Sequence, residues 1–193
     1  MTSVRSGLAA LFALVAAVLS GCAGDRDAPE IDLATAPATL GAGYRLAAGE
    51  KLKITVFGEP DMSGVFEVGP RGTVSLPLVG EVRAEGGTLE AFRSRLSGRL
   101  ASGYVNAPKV AVEIAAYRPI YVHGEVRTGG EFPFKAGARI RDAIAMAGGY
   151  SYRAEESYVL LTRPGSDGPR RVPVTANLMV FPGDNIRVPE RFF

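Results

Sequence analysis

Lys51-Leu52-Lys53-Ile54-Thr55-Val56-Phe57 alternates without a break, with Leu52, Ile54 and Val56 on one side and Lys51, Lys53 and Thr55 on the other. Successive strand side chains point to opposite faces, so this pattern predicts a half-buried β-strand. Gly58-Glu59-Pro60-Asp61 ends it. Val65 to Val68 and Thr73 to Leu76 read as two further short strands, divided by Gly69-Pro70-Arg71-Gly72. Leu76-Pro77-Leu78-Val79-Gly80 is apolar but carries a proline, which suits a strand edge or a bend. Lys109 to Ile114 alternates again through Val110, Val112 and Ile114. Between these strands Thr88 supplies an N-cap. Leu89, Phe92, Leu96 and Leu100 then form one apolar stripe, which predicts an amphipathic helix of about three to four turns stopped at Gly103. Arg93, Arg95 and Arg99 fall largely off that stripe and read as a solvated face that doubles as a candidate binding patch. Residues 44–116 therefore read as strands with one helix packed across them, an α+β layer.

Tyr117-Arg118-Pro119 opens a second unit, residues 117–193. Ile120, Val122 and Val126 alternate with Tyr121, His123 and Glu125. Gly129-Gly130 turns the chain, and Phe132 and Phe134 bracket Pro133. Ile140, Ala143, Ile144 and Ala147 share one face of a short helix that Gly148-Gly149 stops. Tyr158 to Leu161, Val172 to Val174 and Ile186 to Val188 complete a small mixed sheet, with 163–170 as a loop. One helix across such a sheet is a β-grasp-like arrangement. A short internal echo links the units: Gly49-Glu50-Lys51-Leu52-Lys53-Ile54 and Gly183-Asp184-Asn185-Ile186-Arg187-Val188 share the order glycine, acid, any residue, apolar, base, apolar. It reads as a turn feeding a strand in both places and is too short to mark a duplication.

The first residues read as an address. Arg5 and the amino terminus are positive, Leu8 to Leu19 is an uncharged apolar run, and Leu19-Ser20-Gly21-Cys22 follows. The run is too short to span a bilayer and suits a signal-peptide core, residues 1–21. The four residues ending at Cys22 resemble the bacterial lipobox, in which the thiol is acylated and the cysteine becomes the new N-terminus. Several acyl chains on one residue anchor stably, each buried CH₂ contributing about 0.8 kcal/mol. Ala23 stands where inner-membrane retention would need aspartate, so outer-membrane sorting is expected. Residues 22–43 show no apolar period and read as a flexible, lipidated tether.

Composition narrows the function. The 193 residues carry a net charge of only +2, with no polybasic run, so no bulk electrostatic case exists for nucleic acid. One cysteine excludes an intramolecular disulfide, and one histidine makes a His-based metal cluster unexpected. No cofactor motif is found.

These pieces, in this order, resemble the polysaccharide biosynthesis/export family of outer-membrane lipoproteins. The motifs are Tyr44-Arg45-Leu46 with Gly49-Glu50, Val56-Phe57-Gly58-Glu59-Pro60, Gly72 to Val82 (GTVSLPLVGEV) and Asn106-Ala107-Pro108-Lys109-Val110. The second unit adds Val122-His123-Gly124-Glu125-Val126, Ala143 to Gly149 (AIAMAGG) and Pro182 to Arg191 (PGDNIRVPER). The likeness covers about residues 44–192. It implies an export domain followed by a small β-grasp domain named for soluble-ligand binding. Glu50 replaces the family's usual aspartate, and Thr128-Gly129-Gly130 replaces a Pro-Gly turn. Larger members continue into an amphipathic helix that crosses the outer membrane, whereas this sequence stops at Phe193.

The resemblance implies polysaccharide transport without enzymatic activity, through a homo-oligomeric ring on the periplasmic face of the outer membrane. It also implies an inner-membrane copolymerase as partner. The missing helix implies a separate outer-membrane pore protein. A long hydrophilic polymer needs a wet, weakly binding path, so Arg93, Arg95, Arg99, Tyr117, Tyr121 and His123 are the candidate polysaccharide-facing residues. Three rivals differ in class. Catalysis would rest on His123 as base, but no nucleophile motif or phosphate loop accompanies it. A monomeric ligand-binding or scaffolding lipoprotein would form no ring. A purely structural lipoprotein would leave export intact when deleted.

Overall fold

A computed structural model describes residues 28–32, 40–41, 43–176 and 178–191. The signal segment 1–21 and Cys22 lie outside them.

The fold is α+β, with two helices among the described residues. In the first unit β1 (Lys51–Val56) is the centre of a three-stranded antiparallel sheet, flanked by β2 (Gly64–Glu67) and β5 (Val110–Ala116). β3 (Thr73–Leu76) and β4 (Gly80–Arg83) form a separate hairpin. The alternation that opened the sequence holds: Leu52, Ile54 and Val56 are buried, Lys51 and Lys53 exposed. Helix α1 (Leu89–Ala101) begins where Thr88 Oγ1 accepts the Ala91 N–H at 3.2 Å. It buries Phe92, Leu96 and Leu100 completely. Each such side chain contributes about 1.5–3 kcal/mol to stability. Strand β4 was not foreseen. Leu76 to Gly80 turns the hairpin, and Leu78 holds φ +63° with a mostly exposed side chain.

Three residues, 117–119, lead into the second unit. There β6 (Ile120–Gly124), β7 (Gly130–Phe132), β8 (Tyr158–Thr162), β9 (Arg170–Pro173) and β10 (Asn185–Val188) form a mixed sheet in the order β7-β6-β10-β8-β9. Its one parallel pair, β6 with β10, lies between antiparallel neighbours. Helix α2 (Ile140–Met146) packs Ile140, Ala143 and Ile144 onto Ile120, Val122, Val159, Leu161 and Ile186. β7 was not foreseen: a three-residue strand next to Gly129-Gly130 is too short to show a period.

The two units have separate hydrophobic cores, one drawn from residues 46–112 and one from 120–188. Part of the stretch expected to be a free tether is seated on the second unit. Glu30 bridges Arg171 in parallel, the Ile31 N–H donates to Arg171 O and the Arg171 N–H to Pro29 O, each at 2.9 Å. Ile31 packs against the second core. Among the described residues no helix is long and apolar enough to cross a membrane.

Candidate functional site

The junction between the units is built from two copies of one small device. Ala47 to Glu50 is a tight turn in which the Glu50 N–H returns to Ala47 O and Gly49 takes φ +86°. Phe181 to Asp184 repeats it, with Asp184 N–H to Phe181 O and Gly183 at φ +83°. Positive φ at the third position is the signature of a type II turn and the reason for glycine there. In both turns the acid folds back on the first residue: the Ala47 N–H donates to Glu50 Oε2 at 3.1 Å and the Phe181 N–H to Asp184 Oδ2 at 2.8 Å. Glu50 and Asp184 are the buried charged residues of the two cores, both fully inaccessible. This is the physical content of the internal echo in the sequence.

Each buried carboxylate has an arginine. Arg163 Nε lies 3.4 Å from Asp184 Oδ1, and its guanidinium stacks 4.5 Å from the Phe181 ring centre. Arg118 Nε lies 3.8 Å from Glu50 Oε1 without hydrogen-bonding it, so the contact is Coulombic. Arg118 Nη2 donates to Pro182 O at 3.2 Å. One side chain therefore spans from the first unit's turn to the second unit's turn. The Tyr44 hydroxyl also donates to Glu50. Tyr44, Tyr117 and Phe134 stack edge to face in sequence, with centroids 5.5 and 5.3 Å apart, and lock the same junction from another side.

Burial raises Glu50 above the usual carboxylate range, against the opposing Tyr44 and Ala47 hydrogen bonds and the Arg118 charge. Burial, with Glu50 beside it, raises Tyr44 as well. Burial pushes Asp184 up to about 6, opposed by Arg163 and the Phe181 N–H. The folded chain thus holds this proton more tightly than the unfolded chain. The resulting stability is fully present below about pH 4 and is lost as pH rises to about 6, after which the contribution is flat. Asp184→Asn mimics the protonated group. Urea unfolding of both proteins should show the wild-type stability falling relative to the variant by about 2–3 kcal/mol between pH 4 and 7. A constant difference across that range would contradict the burial of a charge at Asp184.

The six candidate polysaccharide-facing residues divide into three places. Tyr121 and His123 share the outer face of the second sheet, opposite the core, with Asn185 and Arg187 paired beside them in the parallel ladder. His123 Nε2 meets Asn185 Oδ1 at 2.6 Å. Arg93 and Tyr117 line a groove of about 350 Å³ with Tyr44, Glu90, Val112 and Ile114. There Arg93 makes two hydrogen bonds to Glu90. Arg95 and Arg99 are turned away from both places: Arg95 donates to Arg83 O at 2.8 Å and Arg99 reaches Glu81 O at 3.5 Å, fastening α1 to β4. The three helix arginines therefore do not form one patch, because residues two apart on a helix point in different directions. Sequence reasoning missed Arg118, Arg163 and the buried state of Glu50 and Asp184. The echo was the available signal. Among the described residues no group of His, Cys, Asp and Glu is placed to hold a metal ion.

The family models match this architecture in register. The model described as "Polysaccharide biosynthesis/export protein" matches residues 38–115, and the SLBB domain model matches 119–174. The chain thus carries a polysaccharide-export unit followed by an SLBB unit. Arg118 lies in the short stretch, 116–118, between the two matches. Family relatives include the exopolysaccharide production protein ExoF of Rhizobium meliloti, 33% identical over 118 residues, 55% of this chain and 28% of that protein. The capsule polysaccharide export outer membrane protein CtrA of Neisseria meningitidis is 33% identical over 96 residues, 48% of this chain and 24% of that protein. The chain spans about a quarter of the length of these curated relatives.

Proposed function

We propose that this protein is a periplasmic component of a capsular or exopolysaccharide export channel, held at the outer membrane by a lipid on Cys22 and assembled as a ring of identical copies. The observation that carries the reading is the pair of consecutive family matches, export unit then SLBB unit, on a chain whose relatives are named for polysaccharide production and export. A head-to-tail interface closes into a ring when its rotation permits. The clamp at Arg118 supports this, because subunits that must meet on both sides need a fixed angle between their two units. The polar face of Tyr121, His123, Asn185 and Arg187 suits a hydrated polymer path. The role is transport and not catalysis. An inner-membrane copolymerase and an outer-membrane pore protein complete the machine by family analogy.

The test is external polysaccharide in a deletion strain, complemented with wild type or with Cys22→Ser. The reading expects external polymer to vanish on deletion, to return with wild type, and to stay below a tenth of normal with the serine variant. Unchanged external polymer in a deletion strain with no second gene copy would sink the export role and favour a monomeric ligand-binding module.

A further inference from the structure

The stretch expected to be a free tether carries a docking strand. Residues 29–31 lie alongside β9, at the edge of the second sheet. Arg171 is the point of attachment: its N–H donates to Pro29 O and its carbonyl accepts the Ile31 N–H, each at 2.9 Å. These two bonds use backbone groups that an edge residue otherwise leaves open. Ile31 is half-buried against the second core, and the Arg171 guanidinium is held 4.0 Å from the Tyr158 ring centre. Charge agrees with the contact. Residues 23–32 carry Asp25, Asp27, Glu30 and Asp32 against Arg26, whereas β9 opens with Arg170 and Arg171.

The direction of pairing decides where the chain enters. The bridge between Glu30 and Arg171 is parallel, so residues 29–31 run the same way as β9 (Arg170–Pro173). Their amino-terminal end therefore lies at the Arg170 end of the sheet edge, where the largely exposed 163–170 loop enters β9. A fully extended chain spans at most about 3.3–3.6 Å per residue. From Cys22 to Pro29 the reach is then at most about 25 Å, whereas a tether free as far as Tyr44 would reach about 75 Å. Once residues 29–31 are seated, residues 33–43 add nothing to the reach of Cys22.

We propose that residues 29–31 are a strap that fastens the lipid anchor to β9, so that the 163–170 end of the second unit is held within about 25 Å of the membrane surface. This rests on the reading of Cys22 as the lipid anchor and adds the place where that anchor is tied to the fold. The occupant of the β9 edge is the chain's own segment. Seating it converts a long linker into a short one and leaves residues 23–28 as the slack between lipid and fold.

The experiment uses the full acylated chain on vesicles of phosphatidylethanolamine and phosphatidylglycerol. Mass spectrometry first establishes the acyl group on Cys22. A donor dye on Asp167→Cys, in the exposed loop, transfers energy to an acceptor on the lipid headgroups. About twelve Gly-Ser residues inserted after Gly24, ahead of the strap, should lower the transfer rate at least about threefold, because the slack more than doubles in length. The same insertion after Ala34, behind the strap, should leave transfer unchanged. Ile31→Ser removes the apolar contact and should make the two insertions act alike. Amide-exchange protection at residues 31 and 171 should fall about tenfold in that variant. Equal effects of the two insertions in the chain with Ile31 intact, or no difference in protection between wild type and Ile31→Ser, overturns the strap. A chain without an acyl group on Cys22 overturns the anchor reading and the placement at the membrane together. Protection at residue 31 is read without vesicles, so failure of the strap and failure of the anchor are told apart.

Discussion

Arg118→Met should lower the unfolding free energy by about 3 kcal/mol at neutral pH, the scale seen when one partner of a buried pair is removed. Glu50 is completely buried, and Arg118 is its nearest cation. Methionine keeps much of the side-chain volume, so the loss reports the charge and the bond to Pro182 O and not a cavity. The pH dependence has a fixed sign. Without Arg118 the Glu50 carboxyl, already raised by burial, rises further above its unfolded value. The variant then regains stability as pH falls, so its deficit is smaller at pH 5 than at pH 7.5. Glu50→Gln combined with Arg118→Met should recover most of the loss, which distinguishes an unpaired charge from general disruption. Urea unfolding at both pH values is the measurement. Equal deficits at the two pH values, with no recovery in the double variant, would show that the pair does not act through charge. Because Arg118 also bonds the second unit's turn, the variant should unfold in two steps where the wild type unfolds in one.

Gly124→Ala should cost about 3 kcal/mol or more. Gly124 holds φ +87°, and a Cβ there would stand 2.2 Å from Val188 O and 3.1 Å from Val188 C. The left-handed conformation alone costs an L-residue about 1–2 kcal/mol, and displacing packed backbone adds about 1–3 kcal/mol. Val188 cannot yield easily, because its carbonyl accepts the Glu125 N–H and its side chain is in the core. The damage falls on the parallel β6–β10 pair, which sets Tyr121 and His123 beside Asn185 and Arg187. Gly130→Ala is the matched control: its Cβ would meet nothing within 4 Å, and its effect should stay under about 1 kcal/mol. Denaturant midpoints of the two variants decide the matter. Similar small losses in both would mean that the close approach of Val188 to Gly124 is wrong.

Much of this architecture was legible in the sequence because it rests on local periodicity. Leu52, Ile54 and Val56 alternate, Phe92, Leu96 and Leu100 recur at helical spacing, and Thr88 and Gly148-Gly149 mark helix ends by their own backbone chemistry. Those signals need only a few neighbours along the chain, and the order of elements was enough to point to the family. β4 and β7 escaped because four residues after the Pro77-Leu78-Val79 turn and three at Gly129-Gly130 leave no period to read. Tertiary structure alone decided which charges are buried. The glycine-acid echo sets Glu50 and Asp184 apart from the exposed acids Glu67 and Glu81 as turn residues, but it does not show that they are buried, since burial depends on which surfaces the fold brings over them. Tertiary structure likewise separated Arg95 and Arg99 from Arg93. The sequence determined the elements and their order through backbone and hydrophobic pattern. Electrostatic partners and cavities arise from contacts between residues far apart in the chain, and those exist only once the two units have packed.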